Sequence, residues 1–305
     1  MNQSNSTRRS SWQPSPDIKC HNGSQPNADA DFFIPPPPTI GEVLSVYTTL
    51  NTSSRPMSAS VRWILVILIG GLLFAIVKPI ANNGYAAVVF AVLGIKVALN
   101  STDCIGMCSY VGTKGIVSYT STWSRSAMNK EDLLLFDDAH SLDIISITVN
   151  PIPFFLPVGH KIYTWKKTSG NKYVIRSVYY RNKPVAGYPW DCTKMAESAW
   201  SNYLLSNINN ELARNGYVEF STVGTSQPKA IRIGSGFIEL VSKKDGVHRF
   251  MVSDMQNISL GDSTFGFRHQ DLEWWLGKGE YILHYPLVSN ARVFLICLKE
   301  LAGIS

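Results

Sequence analysis

Charged side chains are sparse: Asp, Glu, Lys and Arg make up 16% of the 305 residues, and the formal excess of +6 is not gathered in a block. Residues 1–60 hold four basic and four acidic side chains, 61–99 hold three basic and none acidic, and the remainder holds 21 against 18. Nucleic-acid binders concentrate cations on one face or arm, so no nucleic-acid partner is expected. Cysteine is scarce as well. The five thiols, at 20, 104, 108, 192 and 297, are odd in number and lack a framework spacing, which argues against a disulfide scaffold and for reduced thiols in a cytoplasmic compartment. The first thirty residues contain no apolar h-region, so no cleavable secretory signal is expected. No Walker loop, dinucleotide fingerprint, nucleophile elbow or zinc-peptidase helix occurs, so neither a catalytic motif nor a cofactor or metal is expected.

What is present divides the chain into regions that the near-zero mean hydropathy hides. Residues 1–38 are rich in Ser, Asn, Gln and Pro and end in Pro35 to Pro38, a composition that predicts a disordered polar tail with a polyproline II end. Ile40, Val43, Leu44, Tyr47 and Leu50 then recur at helical spacing, predicting a short juxtamembrane amphipathic segment over 39–60. From Trp63 the chain reads WILVILIGGLLFAIV, fifteen residues without a polar side chain, followed by the turn signal KPIANNGY and a second apolar run, Ala86 to Leu99. These features predict a transmembrane helical hairpin over 61–99, each span marginal against a hydrocarbon core of about 30 Å. Arg55, Arg62, Lys96 and Lys114 flank it and only Lys78 lies in the connection. Positive-inside counting therefore predicts a multi-pass membrane protein with the N-terminus and the C-terminal region in the cytoplasm. Gly70, Gly71 and Gly94 would let such spans pack closely, which makes a homo-oligomer an open expectation.

Beyond residue 100 the period changes to two. Runs rich in Tyr, Val, Ile and Thr between Gly, Asn, Ser and Asp predict antiparallel strands, among them Gly115 to Thr122, Leu142 to Val149, His160 to Lys167 and Lys172 to Tyr180. Thr168 to Asn171 reads as a hairpin turn. Trp200, Leu204, Ile208 and Leu212 mark a long helix over Lys194 to Arg214, with Gly216 placed to end it. A second set of strands follows, and Leu287, Ala291, Phe294, Leu295, Leu298 and Leu301 stripe a closing helix. The expected class is α+β: the transmembrane hairpin, then two modules over 100–215 and 216–305, each a block of strands closed by a C-terminal helix.

The run IRIGSGFIELVSKKDGVHRFMVSDMQNISL, Ile231 to Leu260, and the ending HYPLVSNARVFLICLKEL from His284 resemble bacterial membrane-anchored proteins with pleckstrin-homology-like (GRAM-like) domains. The resemblance spans about 190 residues on short motifs and implies a fold and a location rather than an activity. It also implies that the Thr168 to Asn171 hairpin could hold phosphate groups. Lys166, Lys167, Lys172 and Arg176 surround that hairpin, with Arg181 and Lys183 nearby, and alternation puts Lys172 and Arg176 on one face of their strand. These four are the candidate site for a lipid headgroup or other anion. Lys243, Lys244, His248 and Arg249 form a weaker patch.

Other constellations read more simply as structure. Cys104 and Cys108 lack the two further ligands that a metal needs. Asp137, Asp138 and His140 are too close in sequence to converge and read as a turn or cap. Trp165, Trp190 and Trp200 read as core, and Trp274 and Trp275 as one core ring and one free ring. The expected function is a non-enzymatic binding or scaffolding element that engages the lipid bilayer, an anionic lipid headgroup or a protein partner. The alternative is a membrane-bound enzyme with its site between the two modules.

Overall fold

A computed structural model describes residues 12, 15, 17–20, 35–48, 59–81, 88–89, 91–93, 95, 105–122, 130–149, 158–180, 183–185, 189–224, 228–242, 246–261, 263–270 and 279–304. Four sheets, built almost wholly from antiparallel pairs, dominate it. The first runs β1 (Lys19–Cys20), β2 (Val43–Thr48), β3 (Ile105–Gly112), β4 (Gly115–Thr122) and β5 (Lys130–Leu135), in that spatial order. Across a 3-10 turn, Phe136–Asp138, the chain enters the second sheet, β6 (Ala139–Val149), β7 (Val158–Lys167), β8 (Lys172–Tyr180) and the two-residue β9 (Lys183–Pro184). The two inner faces meet over a core of Tyr47, Val111, Ile116, Leu134 and Phe136 on one side and Tyr163, Trp165 and Tyr173 on the other. Helix α2 (Trp190–Asn215) lays Cys192, Ala196, Ala199 and Trp200 against it.

The second unit repeats this plan with β10 (Tyr217–Ser221), β11 (Ala230–Gly234), β12 (Phe237–Val241) and β13 (Val247–Met251) in one sheet. A three-stranded sheet of β14 (Gln256–Leu260), β15 (Thr264–Arg268) and β16 (Glu280–His284) follows, then helix α3 (Ala291–Glu300). Phe220, Ile233, Leu240, Phe265, Phe267, Phe294 and Leu298 belong to its core. Outside that core, ladder register aligns Glu219, Arg232, Glu239 and Arg249 across all four strands of the first sheet. Opposite charges alternate along the row, with Arg232 2.7 Å from Glu219 and Arg249 2.6 Å from Glu239. The guanidiniums of Arg232 and Arg249 also lie 4.5 and 4.0 Å from the ring centres of Tyr217 and Phe237.

One helix serves both units. Trp200 fills the first core, Leu204 touches both, and Leu205, Ile208 and Leu212 pack on the second. The helix ends where Gly216 takes a left-handed conformation, φ 75°, with its N–H donating to the Leu212 carbonyl. Asn290, also left-handed at φ 59° and ψ 38°, completes the junction. Its Oδ1 accepts from the Leu142 N–H and from Trp200 Nε1, both at 2.8 Å, and its own N–H donates to the Leu142 carbonyl. Beside it Ser289 Oγ donates to Asp143 Oδ1 at 2.5 Å. The seam between the units is thus closed by directed hydrogen bonds rather than left as a cleft.

Several expectations are corrected. The first apolar run does become a helix, α1 (Ala59–Ala81), but only fifteen consecutive residues, Trp63 to Val77, lack a polar side chain. At 1.5 Å per residue they cover about 22 Å, short of a hydrocarbon core of about 30 Å. Six residues of the second run are helical; 82–87, and the rest of that run, lie outside the described residues. Gly70 is close-packed there, since a Cβ on it would fall 2.8 Å from Ile95 Cγ1. No helix among the described residues is long and apolar enough to cross a membrane, so neither the transmembrane hairpin nor multi-pass membrane localisation is supported. With it goes the α+β class built on that hairpin: the described chain is mainly antiparallel sheet.

The juxtamembrane amphipathic helix is instead strand β2, in which Ser45, Val46, Tyr47 and Thr48 are all buried. The helical spacing of Ile40, Val43, Leu44 and Tyr47 misleads because both faces of this sheet are covered, and apolar residues therefore do not alternate strictly. The first unit begins before the apolar run, not after it. Part of the polar tail also belongs to the fold. Lys19–Cys20 pairs in parallel with β2, Ile18 is buried, and Trp12 stands edge-on to Tyr110 at 5.4 Å. These residues cover the outer face of the sheet, where Val46, Cys108, Tyr110, Val117 and Tyr119 are buried.

A candidate binding crevice in the first unit

Strand register sets a polar row into the inner face of the first sheet: Ser109 on β3 lies opposite Ser118 on β4, which lies opposite Asp132 on β5. Tyr173 reaches it from β8 of the facing sheet. Ser118 Oγ is 2.8 Å from Ser109 Oγ and 2.7 Å from the Tyr173 hydroxyl, so three buried hydroxyls satisfy one another in a chain. Such a chain offsets the cost of burying polar groups in an apolar core. Burial raises the Tyr173 pKa above the ordinary phenol value; Ser118 opposes the shift by hydrogen bonding and Asp132 adds to it by charge. Tyr173 is therefore a neutral hydroxyl over the whole physiological range.

The row forms the wall of a crevice of about 410 Å³, lined also by Met107, Thr120, Arg176 and, at the start of α2, Cys192. Its size is that of a small-ligand site. Asp132 is half-buried and has no ion-pair or hydrogen-bond partner among the described residues, although Arg176 lines the same space. On β8 the exposed Lys172, Val174 and Arg176 alternate with the buried Tyr173 and Ile175, so the cationic side chains stand on the opposite face of the strand from the Tyr173 hydroxyl. A second depression, about 450 Å³, lies between the β3–β4 turn and α2, but its polar side chains Thr113, Lys114, Asp137 and Asn202 are all solvent-exposed. It has no counterpart of the buried hydroxyl chain.

The four expected anion-site residues separate into two pairs. Lys166 Nζ is 2.7 Å from Asp143 Oδ2, the carboxylate that also holds Ser289, so it is tied to the junction of the units. Lys167 Nζ donates to the Leu133 carbonyl at 2.5 Å. Lys172 and Arg176 are exposed, on one face of β8 with Val174 between them, and have no ion-pair partner among the described residues. Of the other constellations, Asp138 presents its carbonyl to the N–H and Oγ1 of Thr168, at 2.7 and 3.0 Å, which fixes the β7–β8 turn. Arg249 belongs to the charge row, while Lys243, Lys244, Arg181, Trp274 and Trp275 lie outside the described residues. Cys108 is buried, Cys104 lies outside the described residues, and no group of metal-ligating side chains occurs among the described residues.

Sequence reasoning missed Asp132 and the hydroxyl chain. The available signal was small polar residues at inward positions of two strands, Ser109 and Ser118, but it requires knowing that both are inward and in register.

No protein-family model and no curated protein matches this chain. The functional reading therefore rests on the crevice and its strand.

Proposed function

We propose that this chain is a non-enzymatic binding element built of two pleckstrin-homology-like units, and that the first unit recognises a phosphate-type anion such as a lipid headgroup. The observation that supports it is Lys172 with Arg176. Both are exposed and unpaired among the described residues, on one face of β8, and Arg176 lines the crevice of about 410 Å³. Side chains at i and i+4 of a strand start about 13 Å apart along it. The long stems of lysine and arginine let both cations lean toward one anion between them. Charge-assisted hydrogen bonds from a guanidinium and an ammonium are the strong kind. The two-block plan, each block ending in a helix that packs into its own core, supports the likeness in architecture.

The test measures binding of the full chain to phosphatidylcholine vesicles with and without phosphatidylglycerol, and to inorganic phosphate by calorimetry. Preference for the anionic vesicles that is lost in the double variant Lys172→Ala, Arg176→Ala supports the reading. Equal binding to both vesicle types, unaffected by the double variant, refutes it.

A further inference from the structure

The inner face of the first sheet carries a cross-strand row that anion recognition by Lys172 and Arg176 does not use. Register sets Tyr47 on β2 opposite Ser109, Ser109 opposite Ser118, and Ser118 opposite Asp132, so the four side chains stand on one face. Directly opposed residues have Cβ atoms about 5 Å apart, which starts the Asp132 side chain beside that of Ser118. The row lines the crevice of about 410 Å³ together with Met107, Thr120, Tyr173 and Ile175. Arg176 also borders this space, but alternation carries its side chain, with that of Lys172, to the other face of β8 from Tyr173 and Ile175. The wall facing the crevice is therefore acidic, hydroxylic and apolar.

Each part of that wall narrows the ligand. Asp132 is half-buried and has no ion-pair or hydrogen-bond partner among the described residues, a charge whose burial is costly until a cation meets it. A hydroxyl has one donor and two acceptor positions, and Ser109, Ser118 and Tyr173 spend two donors on one another, so their chain offers more acceptors than donors. Tyr47, Met107 and Ile175 add apolar surface. An anion would meet the Asp132 charge, and a polyol would find few donors for its own oxygens. An ammonium group has three donors, a positive charge and no acceptor, which is what a carboxylate among surplus acceptors satisfies. We infer that the crevice is a second binding site of the first unit, independent of the Lys172 and Arg176 face, and that it takes a small organic amine. The ammonium pairs with Asp132 and donates to the hydroxyl oxygens of Ser118 and Thr120, while the hydrocarbon part lies against Tyr47, Met107 and Ile175. A few placed polar groups on a mostly apolar wall is the usual make-up of a small-molecule site.

Calorimetry on the full chain with phenethylamine and with 2-phenylethanol, its neutral counterpart of nearly the same shape, tests it. The amine is expected to bind about tenfold tighter, the value of a charge-assisted contact over a neutral one. In Asp132→Asn, a change of charge at nearly constant size, the amine loses that advantage. The urea midpoint of this variant stays where it was, because Asp132 has no partner to lose among the described residues, so the lost affinity is not a folding defect. Lys172→Ala with Arg176→Ala leaves amine binding unchanged while abolishing the preference for anionic vesicles, which separates the two sites. Equal affinity for amine and alcohol in the unaltered protein, amine binding that survives Asp132→Asn, or no binding of either probe overturns the inference and leaves anion recognition by Lys172 and Arg176 standing. Amine binding lost in the double variant overturns the independence of the sites.

Discussion

Asn290→Ala isolates the contact that joins the two units. The substitution removes one oxygen that accepts from the Leu142 N–H and from Trp200 Nε1, each at 2.8 Å. Trp200 is only 1% exposed, so its N–H loses its partner without gaining water. Leaving a buried donor unsatisfied costs about 1–3 kcal/mol. The left-handed backbone at φ 59° adds about 1–2 kcal/mol for a residue with a Cβ but no local hydrogen bond. The expected loss is therefore about 2–5 kcal/mol, a large part of the stability of a typical domain. Asn290→Gly removes the backbone strain but not the lost bonds, so it should lie about 1 kcal/mol above the Ala variant. Urea titrations followed by tryptophan fluorescence give both numbers, and a second transition in either variant reports that the units have come apart. An Asn290→Ala protein within about 0.5 kcal/mol of the original, or a Gly variant less stable than the Ala variant, refutes the reasoning.

Further predictions concern the charge row of the second unit and the buried thiol and phenols. Glu239, with 7% side-chain exposure, is shared by Arg232 and Arg249, so Glu239→Gln should destabilise the second unit by about 2–4 kcal/mol in the same titration. Arg249→Ala, whose guanidinium-bearing side chain is 54% exposed, should cost under about 1 kcal/mol; the reverse order would count against the ladder. At alkaline pH, burial pushes the Cys297 thiol from 9.0 up to about 12. Burial likewise raises Tyr110, Tyr163, Tyr173 and Tyr281 above 10.0. Each of these groups binds its proton more tightly when folded, so the stability it contributes is full below the unfolded value and is lost as pH rises through the folded one. Urea midpoints should therefore fall as the pH rises from about 9 toward about 12, and a midpoint that rises there would contradict the burial of these groups.

Local patterns were legible where a segment buries one face. Gly216 ends α2 as its position after a helical stripe implies, and Thr168 to Asn171 turns the chain between β7 and β8. The stripe Phe294, Leu298 lies in the second core as the closing-helix pattern requires. The segment around Val43 was misread because its sheet is covered on both faces, and period alone does not separate a fully buried strand from a short helix. The apolar run was legible as a helix with fifteen residues free of polar side chains. Its shortness against the hydrocarbon thickness carries more weight than its apolarity, since no helix among the described residues is long and apolar enough to cross a membrane.

The same division holds for the site. Lys166, Lys167, Lys172 and Arg176 are visible in the sequence as cations around one turn, and alternation alone places Lys172 and Arg176 on one face. Which of the four remain available is a tertiary matter, because Asp143 and the Leu133 carbonyl come from other strands. Asp132 acquires meaning only through register, which sets it beside Ser118 and, across the sandwich, near Tyr173. The sequence by itself determined the strand-rich character after residue 100 and the local turns and caps, since these depend on neighbours along the chain. The crevice, its hydroxyl chain and the Asn290 seam were decided by tertiary structure, because each is made by groups brought together from distant parts of the chain.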